Sequence, residues 1–144
     1  MMTLRDQALN IFKAGLKAAD SYAAVQRFIT LRENRLSIGT IDYCLAKKQA
    51  DNIFVIGFGK GAARMALAVQ DKLRSLIRGG IVIVKYGHSQ KLDRVEVREG
   101  GHPIPDISGV RGTEELLHLL KGTGPSYPVI CLVSGGVSGL LTAP

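Results

Sequence analysis

The sequence predicts an α/β protein built on a parallel sheet, doubly wound or close to it. Two observations carry that class. Three short runs are continuously apolar, Ile53–Ile56, Ile81–Val84 and Val129–Val133, and Val95–Val97 reads as a further short strand. A strand with one wet face would alternate, so unbroken runs mean strands covered on both faces. Between them lie stretches with helical spacing, Ala62, Met65, Ala66, Val69 and Leu73 in one and 108–120 in the other. Strands alternating with helices of that length give a parallel sheet.

Each element follows from local pattern. Leu4, Ala8, Ile11, Phe12, Leu16 and Ala19 form the stripe of an amphipathic helix, with Thr3 as cap and Asp6 in a capping box. Asp20 or Ser21 caps a second helix over Tyr22–Ile29, and Arg32–Asn34 reads as a polar connection. Leu36–Ile38 and Ile41–Cys44 flank Gly39–Thr40 as a hairpin. A helix over Gly61–Ile77 is expected to stop at Gly79–Gly80, and Gly122–Pro128 reads as a turn. The expected organisation is one α/β domain over 1–144, with a helical N-terminus (1–34) and a sheet-forming core (35–144).

Composition narrows the function classes. Apolar residues make up 46% and charged residues 22% of 144, ordinary globular usage. No stretch nears the ~18 apolar residues of a membrane span, and the N-terminus lacks the apolar core of a signal peptide. Cys44 and Cys131 lack metal-ligand spacing and read as reduced, core-facing thiols of a cytoplasmic protein. The net charge of +7 is spread out and the eight aromatics are scattered (four Tyr, four Phe), so specific nucleic-acid binding is not expected. A diffuse positive field suits a small anion better. After Lys121 no charged residue occurs, and an apolar stretch follows a strand and glycine loop. The expectation is an N-terminal part of a longer protein with a C-terminal domain missing, or an end covered by another chain, as in a homo-oligomer.

Glycines concentrate where such sheets bind ligands, at the carboxyl ends of strands. Three loops stand out: Gly57–Ala62, Gly100–Asp106 and Ser134–Ser138. In the first, Gly57, Gly59 and Gly61 surround Lys60, whose ammonium could join bare helix-start N–H groups in cradling a phosphate or carboxylate. The same glycines could simply permit tight strand-to-helix packing. The loop fits G-x-G-x-x-A, yet Lys85 stands where a dinucleotide fold expects an acidic residue for the ribose. His102 could act as an acid or base, bind an anion when protonated, or be structural in its Pro/Gly turn. Asp106 could hold a metal or cap the next helix. Ser134, Gly135, Gly136 and Ser138 read as an anion cradle or a plain tight turn, and lack the G-x-S-x-G frame of a nucleophile. His88 is a weaker candidate at another strand end, and no metal ligand set is assigned.

Four passages in register, Val55–Ala63, Gly80–His88, Glu99–Asp106 and Leu132–Ser138, together resemble the type-2, or MOFRL, glycerate kinase family. Val137 and Gly139 stand where that family's serine loop generally has Gly and Ala, and Gly61 where it usually has Ala. The resemblance implies ATP-dependent phosphoryl transfer to the 2-hydroxyl of glycerate, with Mg2+ as cofactor. It also implies a Rossmann-like N-terminal domain facing a smaller C-terminal domain, and an active-site role for Lys60. Two other classes remain: an NAD(P)-dependent hydroxypyruvate reductase, suggested by the glycine spacing, and a non-catalytic binding or assembly module.

Overall fold

A computed structural model describes residues 2–45, 52–135 and 139–143. Helix α1 (Leu4–Ala18) starts at the expected capping box: Thr3 Oγ1 accepts from Asp6 N at 3.2 Å, and Thr3 N donates to Asp6 Oδ2 at 3.0 Å. Helix α2 (Ser21–Phe28) is capped by Asp20, whose Oδ1 accepts from Ala23 N at 2.8 Å. Strands β1 (Ile29–Arg32), β2 (Arg35–Ile38) and β3 (Ile41–Cys44) then form a small antiparallel sheet in that order.

The β2–β3 hairpin turns at Gly39, as expected, with φ of +61°. Strand β1 corrects the reading of its segment as a helix end and polar connection. Four residues are too few to show a period; pairing with β2 makes them a strand.

The main sheet has the order β6-β5-β4-β7, all parallel, from β4 (Ile53–Phe58), β5 (Ile77–Lys85), β6 (Glu96–Gly100) and β7 (Val129–Val133). Helix α3 (Ala62–Leu73) connects β4 to β5, and α4 (Ile107–Gly122) connects β6 to β7. Neighbouring residues of a strand point to opposite faces, and the core divides accordingly. Val55, Val82 and Val84 pack with Ala66, Val69 and Leu73 of α3, whereas Ile56, Ile81 and Ile83 pack with Leu116 of α4 and Leu140. Both faces are therefore covered at β4 and β5. The α3 contact stripe is rich in alanine, which lets the helix lie close to the sheet.

Two expectations are overturned here. Gly79 and Gly80 do not stop a helix; α3 ends at Leu73, a 3-10 turn spans Arg74–Leu76, and both glycines lie inside β5. They sit where the β4–β5 register shifts, and a Cβ on Gly80 would stand 1.9 Å from the Val55 carbonyl oxygen. Close strand approach, not helix termination, is the reason for Gly80. Nor do the cysteines face the core, since Cys44 and Cys131 are both exposed. Strand β7 ends the sheet order and buries alternate residues only, Ile130 and Leu132, leaving Cys131 on the uncovered side. Partial desolvation still raises the Cys131 thiol above its ordinary value.

Replacing Gly80 with Ala should destabilise the fold by about 3 kcal/mol in urea unfolding. Gly79→Ala, where a Cβ meets nothing within 4 Å, should stay within about 1 kcal/mol of wild type.

Candidate functional site

The chain builds outward from β4 to β5 to β6, then returns to the far side of β4 as β7. The order reverses between β4 and β7, and ligands of open α/β sheets bind at the carboxyl end of that crevice. The first and third glycine loops leave from these two strand ends. They meet directly: Gly61 N donates to Ser134 Oγ at 2.9 Å, and Ser134 N donates to the Phe58 carbonyl at 3.1 Å.

The glycines of the first loop are required by this approach. Gly59 has φ of +113°, and a Cβ there would fall 2.2 Å from Ser134 Oγ. A Cβ on Gly57 would lie 2.9 Å from the Leu132 carbonyl oxygen. The loop turns tightly, Gly59 N donating to Ile83 O and Ala62 N to Gly59 O, and then starts α3 at Gly61. That helix has no side-chain cap of its own and no acidic residue in its first turn. The positive end of its dipole is therefore uncompensated there. Lys60 stands exposed at this end, and among the described residues no carboxylate pairs with it. Arg64, one turn on, is engaged by Asp20 at 2.6 Å.

Asp106 is the N-cap of α4. Its Oδ1 accepts from Gly109 N at 3.0 Å and its Oδ2 from Tyr86 Oη at 2.8 Å. The N–H groups of Gly101 and Gly109, with the Tyr86 hydroxyl, hold this carboxyl below the usual carboxylate range. Of its two expected roles, capping is the one on display. His102, half-buried, follows Gly101, and the peptide bond to Pro103 is cis. The segment after the third loop crosses this turn: a Cβ on Gly139 would sit 3.1 Å from the Pro103 carbonyl oxygen and 3.7 Å from His102 Cδ2. Leu140 is then fully buried against α4. The first and third loops thus meet, and the segment just past the third crosses the second loop at the same rim. Gly135 is exposed there with open space beside its Cα, while Gly136 and Ser138, with Val137, lie outside the described residues.

Tyr86 is the rim residue that sequence reasoning passed over. Its position just beyond β5 was the available signal, but its bond to Asp106 spans 20 positions. Lys85, half-buried, ends β5 opposite Gly100 in register, so a cation does occupy the ribose position of the dinucleotide pattern. His88 is exposed, and its N–H closes a turn on the Lys85 carbonyl at 3.0 Å. Among the described residues no group of three His, Cys, Asp or Glu side chains could hold a metal ion. Nor is any described helix long and apolar enough to cross a membrane.

Comparison with known proteins gives concordant matches. The family model described as a domain of unknown function, DUF4147, matches residues 7–144. A glycerate 2-kinase of Pyrococcus horikoshii is 33% identical over 99% of this chain, and a D-glycerate 2-kinase of Thermotoga maritima is 39% identical over 69% of it. A putative hydroxypyruvate reductase of Agrobacterium vitis is 36% identical, also over 69%. The crystal structure of a Thermotoga maritima glycerate kinase superposes on 98% of the chain with a TM-score of 0.76 and 32% identity. A Pyrococcus horikoshii structure covers 100% with a TM-score of 0.85, also at 32% identity. The chain spans 31%, 24% and 23% of those Pyrococcus, Thermotoga and Agrobacterium relatives, and 30% and 32% of the two solved chains.

The depressed Asp106 carboxyl has a pH signature. A lowered folded-state value contributes stability that is complete above the unfolded carboxylate range and lost as pH falls through the folded value. Below about pH 4, the melting temperature of wild type should fall more steeply than that of Asp106→Asn, read by circular dichroism across pH 2 to 7.

Proposed function

Since the chain belongs to the DUF4147 family, the N-terminal domain of the glycerate kinases, we propose that its glycine-loop rim binds the anionic groups in ATP-dependent phosphoryl transfer to the 2-hydroxyl of glycerate. The observation that carries this reading is the Gly61–Ser134 hydrogen bond at the switch point, which sets an uncapped helix start beside the exposed Lys60.

Phosphoryl transfer asks little covalent chemistry of a protein; it needs positioning and neutralisation of charge on the transferred oxygens. The first-turn N–H groups of α3 beyond Ala62, whose own N–H bonds the Gly59 carbonyl, and the Lys60 ammonium supply both for a phosphate or a carboxylate. Ser134 holds the cradle's shape by accepting from Gly61 N, and Gly57 and Gly59 keep the backbone close enough to present its amides. Residues and ligand suit each other: the helix start carries no competing acid, and the amine has no described carboxylate partner. Mg2+ holds to phosphate oxygens and water with one or two carboxylates, and neutralises phosphoryl charge when bound. Asp106, ionised at the same rim with both oxygens already accepting hydrogen bonds, would hold such an ion only through a remaining lone pair. Lys85 favours a phosphorylated or carboxylated ligand over a free ribose hydroxyl pair.

The relatives named putative hydroxypyruvate reductase favour a second reading, a reductase using a nicotinamide cofactor. Lys85 opposes it. Titration with NADH and NADPH followed by fluorescence separates the two, and saturable binding would restore the reductase reading.

Isothermal titration of the chain with ATP–Mg2+ and with glycerate should give saturable binding to at least one of them. Lys60→Ala should weaken that binding about 10- to 100-fold, the loss of one charge-assisted contact. Equal affinity in the variant would remove Lys60 from the site.

A further inference from the structure

At its amino end β5 runs past its neighbour. The strand starts at Ile77, but β6 first pairs with it at Ile81, so Arg78, Gly79 and Gly80 have no strand on that side. The β4–β5 register shifts at the same place. Ile53 pairs with Ile77 and Phe54 with Gly79, which leaves Arg78 as a bulged residue outside the ladder. A bulge bends its strand and re-aims the side chain it carries. A cleft of about 870 Å³ opens at this overhang, lined by Phe54 and Ile81 of the sheet, Leu119 of α4 and the segment 90–95. A Cβ on Gly79 would meet nothing within 4 Å, so bare backbone forms part of its floor. The volume is that of a small-molecule pocket. The cleft lies at the end of the sheet opposite the rim: seven steps of β5 separate Arg78 from Lys85, about 23 Å at the rise of a strand.

Three cations line the cleft with no carboxylate partner among the described residues: Arg78, Lys91 and Arg94. Two of them are nonetheless held. Arg78 Nη1 donates to Asn52 Oδ1 at 2.7 Å, and Arg94 Nη1 to the Ile77 carbonyl at 3.2 Å. The Arg94 backbone is fixed as well, since Gln70 Oε1 accepts from the N–H groups of Asp93 and Arg94 at 2.9 and 3.1 Å. Neutral oxygens therefore orient both guanidiniums and leave their charge uncompensated. The acids on the lining are Asp93 and Glu96, and Glu96 with Glu115 takes up Arg98. We infer that this cleft binds a small organic phosphate, its phosphoryl oxygens facing Arg78, Lys91 and Arg94 and its carbon skeleton on Phe54, Ile81 and Leu119. The planar fork of arginine matches phosphate oxygens in pairs, and a guanidinium already held in place loses little side-chain freedom on binding. An inorganic ion would leave the apolar part of the lining wet, and an uncharged ligand would leave three cations unanswered. The site is separate from the rim and does not depend on what the rim binds.

The test uses the full chain, with phenyl phosphate and inorganic phosphate as probes. In proton–nitrogen correlation spectra, phenyl phosphate up to about 10 mM should shift the amides of Gly79, Gly80 and Lys91–Arg94 along a saturating curve. Inorganic phosphate should bind there about 10-fold more weakly, for want of the apolar contacts. Arg78→Ala with Lys91→Ala should weaken phenyl phosphate about 10- to 100-fold. Both side chains are exposed, so the circular dichroism of that variant should match wild type. Gly79→Val adds bulk to the cleft from a position with open space and should abolish binding while leaving every charge in place. Lys60→Ala should bind phenyl phosphate here as wild type does. Shifts confined to residues 57–62 and 134–135, or no saturable shift at all, would overturn the proposal. So would unchanged affinity in the Arg78–Lys91 pair or in Gly79→Val, or loss of the shifts in Lys60→Ala. Equal affinity for the two probes would overturn the organic class of the ligand.

Discussion

The hydrogen bond from Gly61 N to Ser134 Oγ joins two loops 73 positions apart and sits where the strand order reverses. The rest of the rim depends on that contact. Strands β4 and β7 are neighbours because their ladders pair, but their loops could splay apart beyond the last paired residues. The serine prevents this by accepting from the N–H of Gly61, the residue just before α3, while its own N–H returns to Phe58. The approach tolerates no Cβ at Gly59 and little at Gly57, so glycine here is a requirement of contact as well as of backbone conformation. An unsatisfied N–H at a packed helix start would carry a desolvation penalty of about 1–3 kcal/mol, which this bond removes.

Around it the sheet is asymmetric in a useful way. At β4 and β5 both faces are sealed, by the alanine-rich stripe of α3 on one side and by α4 with Leu140 on the other. That rigid centre holds the first loop. At β7 the sheet ends among the described residues with one face bare, and the groove beside α2 and, apart from it, the stripe of α1 are apolar and exposed.

Charge at the rim follows the same division. Acidic groups there are committed: Asp106 to Gly109, Gly101 and Tyr86, and Glu99 to the Gly87 N–H. Lys60, Lys85 and the α3 dipole are left without a described carboxylate partner. The rim therefore presents cationic groups without a dedicated basic cluster in the sequence, which is why the +7 charge looked diffuse along the chain.

The α/β class, the positions of β4, β7, α3 and α4, the capping box at Thr3 and the hairpin at Gly39 were all legible in the chain, because each depends on neighbours within one turn or one strand. The family resemblance was legible for a related reason: its motifs are short, contiguous loops. Strand β1, the glycines inside β5 and the exposed side of Cys131 were not, since each depends on a partner strand or on a missing one, and local apolarity says nothing of either. The candidate site divides the same way. Lys60 and its glycines could be read as an anion loop from spacing, whereas the bond of Gly61 to Ser134 and the grip of Tyr86 on Asp106 come from groups 73 and 20 positions apart. Local periodicity decides what a segment becomes. Only the closing of the sheet decides which loop ends meet.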